Sequence, residues 1–188
     1  AKLCKSKSIM MLMNDRLKVT LQTIHTPLRK ITKEITRDNI IEKVCIINDE
    51  LKTKFGRKKP KILICGVNPH AGEDGLLGNE EIDIIIPAVK SLNKMGITVD
   101  GPVPADTAFI KKFVSKYDVI HTMYHDQGLP VIKYDNFSRT TNVTLGLPII
   151  RVSVDHGTAT ELVGTGKVDI SSFTQALKVA RDISKSAI

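Results

Sequence analysis

Hydrophobic and polar positions divide the chain into short apolar runs and longer amphipathic stretches. In residues 16–24 (RLKVTLQTI), Leu17, Val19 and Leu21 alternate with polar neighbours, which predicts a strand; His25 follows it, and Pro27 opens a turn or helix. Ile40, Ile41, Val44, Ile47 and Leu51 recur near the helical period, with Thr36 placed to cap that helix and Gly56 to end it. Residues 61–65 (KILIC) read as a buried strand, 66–79 as a glycine-punctuated loop. A helix then starts at Glu80 and Glu81, whose charges suit its positive end, and runs through Ile84, Ile85, Val89, Leu92 and Met95 to Gly96.

After the GPVP loop at 101–104, Asp106 is placed to cap a helix bearing Phe109, Ile110 and Phe113. Residues 118–123 (DVIHTM) read as a strand, with a loop from Tyr124; 142–145 and 148–153 are two further short strands. Ser171 or Ser172 caps a last helix with Phe173, Leu177, Ala180 and Ile183 on one face. Strands alternating with helices predict an α/β fold with a largely parallel sheet and no internal repeat. Residues 1–188 show no clear internal domain boundary, and the first ten look like the middle of something longer.

Composition bounds the class. With 188 residues, 41% hydrophobic and 26% charged, the chain can bury a core, and its longest apolar runs are far too short for the roughly 20 residues of a membrane span. The net charge of +8 raises a nucleic-acid reading, so its location matters. Residues 1–61 hold 16 Lys+Arg and 6 Asp+Glu (+10); residues 62–188 hold 12 and 14 (−2). The excess is a lysine-scattered first third without finger spacing, and 4% aromatics leave little for stacking on bases. It reads as a solvated face, so neither nucleic acid nor membrane is an expected partner. Three separated cysteines (Cys4, Cys45, Cys65) and no signal peptide point to a reducing, cytoplasmic setting.

Candidate chemistry sits just after the predicted strands, where α/β sheets gather ligands. His25, His70 (in NPHAGE) and His125 (in YHDQG) each follow a different strand. Singly, each reads as a loop residue or a satisfied hydrogen-bonding group; together they form a candidate metal or general-base site. His121 and His125 are four apart, but the flanking DVI and TMY favour a strand, so His121 reads as partly buried. His156, in DHGTA, either lines the pocket or holds its loop by hydrogen bonds. Lys133, Asn142 and Arg151 together suit a phosphate or carboxylate, although Lys133 alone would pass as surface charge. Arg151 closes the apolar run LPII, where a charge needs a partner. Asp106 needs no role beyond capping, whereas Asp126 is placed to orient an imidazole or move a proton. Neither GxGxxG nor GxxxxGK[ST] is present.

The ordered runs NPHAGE..G..G.EE.D.IIP (68–87), GP.PADT.F (101–109), MYHDQGLPV.KY..F (123–137) and N.TLGLP.IR.S.DHGTA (142–159) resemble one family across nearly the whole chain. It is the 4-hydroxythreonine-4-phosphate dehydrogenase family, NAD-dependent enzymes of pyridoxine (vitamin B6) biosynthesis. The resemblance implies a divalent metal (zinc, magnesium, manganese or cobalt) on His25, His70 and His125, and substrate contacts from Lys133, Asn142 and Arg151; His121 and His156 are then not ligands. It also implies an isocitrate-dehydrogenase-like, mostly parallel sheet flanked by helices, and a homodimer with active sites near the interface. The implied reaction oxidises 4-phosphooxy-L-threonine with NAD or NADP and decarboxylates the product to 3-amino-2-oxopropyl phosphate. Asp106 and Asp126 are our candidates for proton handling or support of the ligands. The resemblance enters the family well past its start. The fold is therefore expected to be the C-terminal portion, incomplete because the N-terminal portion is absent, and inactive alone. The alternatives are a related dehydrogenase for another phosphorylated hydroxy acid, or a non-catalytic metal-binding fragment.

Overall fold

A computed structural model describes residues 4–155, 157, 158 and 160–186; His156 and Ala159, both within the DHGTA run, lie outside them. Seven strands form one sheet: β1 (Ile9–Met13), β2 (Lys18–Leu21), β3 (Lys61–Cys65), β4 (Thr98–Val103), β5 (Val119–Thr122), β6 (Thr141–Leu145) and β7 (Arg151–Val154). Their spatial order is β4-β3-β5-β2-β1-β6-β7. The first four in that order are mutually parallel, β1 is antiparallel to β2 and β6, and β7 is antiparallel to β6. Five strands therefore point one way, and only β1 and β7 run against them, an α/β sheet flanked by helices.

One face of the sheet is covered by α2 (Arg37–Phe55), α3 (Ile86–Lys94) and α7 (Ser171–Ser186), around a core that includes Met11, Val44, Ile47, Leu51, Ile64, Leu92, Val143 and Val179. The short α1 (Leu28–Glu34) adds Ile31 to that core. The opposite face carries α4 (Ala105–Ala108), α5 (Lys111–Val114) and α6 (His125–Asn136), closing on Leu12, Val19, Leu21, Leu63, Cys65, Ile120, Leu129 and Ile132. A core on both faces explains why β3 reads as an unbroken apolar run.

Local chemistry explains the helix ends. The Thr36 side chain accepts from the Asn39 N–H at 3.3 Å, and Gly56 closes α2 in the left-handed region (φ 63°). Several expectations are corrected. Residues 125–136 are helix α6, not loop, although the helix contains Gly128 and Pro130. Gly128 permits the close approach: a Cβ there would lie 2.6 Å from Val19 Cγ1 and 2.9 Å from Thr122 Oγ1. Asp106 does not cap its helix. Pro104 stands at that position, and the segment breaks into the short α4 and α5. In α7 the sheet takes the stripe of Ala176, Val179 and Ile183, leaving Phe173 and Leu177 exposed. Ile149 and Ile150 are also exposed, since the last strand begins at Arg151, not at residue 148.

Candidate active site

Because β4, β3, β5 and β2 are neighbours and parallel, the residues after them emerge along one rim. His25 follows β2, His70 follows β3, Asp106 follows β4, and His125 opens α6 directly after β5. The His25 and His125 rings lie 5.9 Å apart between centroids, tilted by 42°. Asp126 Oδ1 stands 2.6 Å from His125 Nδ1, an arrangement that fixes the ring and leaves Nε2 for another partner. These residues line a cavity of about 340 Å3 with Thr26, Tyr124 and Ile31. His70 and Asp106 line an adjoining cavity of about 190 Å3, and Tyr124 is common to both.

His70 sits in an unusual backbone. His70, Ala71, Glu73 and Asp74 all have φ between 42° and 54°, and Gly72 between them has 82°. A left-handed non-glycine residue costs about 1–2 kcal/mol, so four within five residues require strong compensation. Glu81 provides it. This carboxylate, 2% exposed, accepts from the Val67 N–H (2.7 Å), the Asn68 N–H (2.9 Å) and Asn68 Nδ2 (2.9 Å). The glycines of the motif make room for it: a Cβ on Gly66 or Gly72 would meet a Glu81 carboxylate oxygen at 2.8 or 2.7 Å. Glu81 stands in the first turn of its own helix, as expected, and its oxygens also reach back to the preceding turn.

Further buried polar groups tie the strand ends together. Gln127 accepts from the Met123 N–H and donates to the Gly66 carbonyl, each at 2.7 Å, joining the ends of β5 and β3. His121 is fully buried, with Thr20 Oγ1 2.9 Å from Nδ1 and Gln22 Oε1 3.0 Å from Nε2. Burial, helped by the nearby Lys43 charge, pushes its pKa down to about 3, so the ring is neutral and structural. Cys65 is buried and its thiol is pushed up to about 12 by desolvation, which makes it inert.

The residues expected to hold substrate anions lie on the other part of the sheet. Asn142 pairs with Leu12 across β6 and β1, on the face covered by α6. Arg151 begins β7, exposed, and donates to Thr144 Oγ1 at 2.8 Å. Lys133, two turns along α6 from His125, pairs with Asp155 at 3.1 Å; Asp155 lies four residues beyond Arg151, about 13 Å along an extended chain. The donor set suits a divalent cation in kind, with imidazoles and a carboxylate on His125. In geometry it supplies the His25–His125 pair; among the described residues no three His, Cys, Asp or Glu side chains stand close enough together to hold a metal ion. Glu81 and Gln127 were not singled out for this site from sequence. Glu81 stands at what reads as an ordinary helix start, and Gln127 lies within the polar run YHDQG, so neither stands out from its neighbours.

Residues 1–180 match the family described as pyridoxal phosphate biosynthetic protein PdxA. A 4-hydroxythreonine-4-phosphate dehydrogenase of Pseudoalteromonas atlantica is 52% identical over 178 residues, covering 95% of this chain and 55% of that protein. The same enzyme of Erwinia tasmaniensis is 51% identical, with 95% and 54% covered. The chain thus spans about half the length of these curated relatives. Among solved structures, a 4-hydroxythreonine-4-phosphate dehydrogenase from Klebsiella pneumoniae superposes with a TM-score of 0.88 at 38% identity, over 98% of this chain and 56% of that one. A terephthalate 1,2-cis-dihydrodiol dehydrogenase from Burkholderia xenovorans gives 0.74 at 28%, over 92% and 55%. With 180 of its residues matched, the chain belongs to the PdxA family of pyridoxal phosphate biosynthetic proteins.

Proposed function

We propose that this chain carries the metal- and substrate-binding part of an NAD(P)-dependent, divalent-metal-dependent dehydrogenase. It would convert 4-phosphooxy-L-threonine to 3-amino-2-oxopropyl phosphate and carbon dioxide in pyridoxal 5'-phosphate synthesis. The observation that carries the reading is the pair of imidazoles at neighbouring parallel strand ends, one of them steadied by Asp126.

His25 and His125 would hold the cation, joined by His70. When bound, the ion supplies Lewis-acid chemistry at the substrate hydroxyl and at the ketone formed from it, and a nicotinamide accepts the hydride. Asp126 keeps the His125 ring oriented, while Asp106, beside His70, is available to hold or move a proton at the rim. Lys133 and Arg151 would neutralise substrate anions and Asn142 would fix orientation, once Lys133 exchanges Asp155 for the ligand. A homodimer with its sites near the interface is consistent with His25 and His70 being exposed, and the protein is proposed to work in the cytoplasm.

Calorimetric titration with Zn2+ tests the site. His25→Ala and His125→Ala should each weaken binding about 100-fold, as loss of a direct ligand requires. Equal binding by both variants and the unsubstituted chain would refute the metal reading. A second reading, a dehydrogenase for another hydroxylated substrate, draws on the likeness to the Burkholderia dihydrodiol dehydrogenase. Comparing NAD(P)H formation on the phosphorylated amino acid and on a cis-dihydrodiol separates the two.

A further inference from the structure

We propose that Glu81 is a positioning residue for His70: its buried carboxylate locks the left-handed turn at 70–74 and so presents the imidazole to the rim. The inference rests on the reading of His70 as a metal ligand, and it adds a residue to which sequence reasoning assigned only a helix start. Four observations carry it. The turn is intrinsically unfavourable, with four non-glycine residues at positive φ. The carboxylate accepts three hydrogen bonds, two of them from the backbone N–H groups of Val67 and Asn68, which lead through Pro69 into His70. Gly66 and Gly72 leave the space that its two oxygens fill. Asn68, held by Glu81, also donates to Glu80 Oε2 at 2.7 Å, so the chain entering the turn is tied twice to the start of the following helix.

An amide at position 81 cannot reproduce this arrangement. In Glu81→Gln one oxygen can still accept the two backbone N–H groups, but the new NH2 then faces Asn68 Nδ2, donor against donor. The turn loses one bond and gains a repulsion while the volume is unchanged.

The test uses the full chain with Co2+ as the probe, and His70→Ala, Glu81→Gln and Asn68→Ala as variants. Without metal, amide hydrogen exchange at Val67 and Asn68 should accelerate tenfold or more in Glu81→Gln. With metal, its Co2+ affinity should fall about tenfold, the low end for loss of a group that orients a ligand. The visible absorption of its bound Co2+ should move toward that of His70→Ala. Asn68→Ala should shift both readouts the same way by less; if Glu81→Gln fails to fold, this variant decides.

Unchanged exchange in Glu81→Gln overturns the clamp whether or not metal binds. Faster exchange with unaltered Co2+ affinity and spectrum, alongside a loss in His70→Ala, overturns positioning and leaves Glu81 a purely structural group. If His70→Ala itself binds Co2+ like the unsubstituted chain, the ligand reading of His70 fails and this proposal with it, and the failure shows in a different variant.

Discussion

The two halves of the sheet expose their functional residues in different ways. In the parallel half, β4-β3-β5-β2, every strand ends on the same rim, so residues far apart in sequence emerge side by side. His25 and His125 are 100 positions apart and their rings are 5.9 Å apart. In the antiparallel half, β1-β6-β7, neighbouring strands run in opposite directions, so polar residues are spread along a face. Arg151 and Asp155, the partner of Lys133, thus fall at opposite ends of β7. The parallel half gathers groups along one rim and steadies them with a buried polar frame: Glu81 under the His70 turn, Gln127 between β5 and β3, His121 between Thr20 and Gln22. The antiparallel half holds its groups through single side-chain contacts, the exposed Arg151–Thr144 bond and the half-buried Lys133–Asp155 pair.

The contrast predicts a graded response to perturbation. The largest effect is expected at Gly128, where α6 rests on β2 and β5 of the parallel half. Gly128→Ala forces a methyl to 2.6 Å from Val19 Cγ1 and should cost about 1–3 kcal/mol in urea unfolding, with weaker metal binding because His125 rides on the same helix. A change confined to stability would separate the helix from the site.

Next comes pH. His121 titrates near 3 in the folded protein and near 6.5 when unfolded, so between those values the unfolded chain binds more protons and stability falls as pH falls. Acidifying from pH 7 to 5 should cost about 2 kcal/mol, visible as a lower denaturation midpoint. His121→Gln should lack this component. A slope that persists undiminished would place the proton uptake elsewhere.

The smallest effect on stability is expected in the antiparallel half. Arg151→Ala removes an exposed guanidinium bonded to Thr144 and should change stability by less than about 0.5 kcal/mol, while weakening inorganic phosphate binding severalfold. A large stability loss there would erase the distinction between the halves.

Legibility in the sequence follows the same division. The strand at 61–65 and the helix from Thr36 to Gly56 were readable because burial and capping are local and periodic. Helix α6 was hidden because Gly128 and Pro130 are helix breakers in any local view, and the first serves a contact with Val19, 109 positions away. The first strand was missed as well, since its five residues, IMMLM, follow a lysine-rich opening and carry no alternation. In α7 the periodicity was right but the choice of face was not, since two overlapping apolar stripes share that helix and only contact with the sheet selects between them.

What the sequence determined on its own was the α/β alternation, the placing of histidines after strands, and motifs specific enough to identify the family. These depend on short-range periodicity and on residue order. Tertiary structure decided which imidazoles meet, that Glu81 turns back toward a left-handed turn, and that Lys133 pairs with Asp155 while Arg151 bonds Thr144. Those outcomes depend on strand order and direction, which bring distant residues together through the burial of the whole sheet and cannot be read from spacing along the chain.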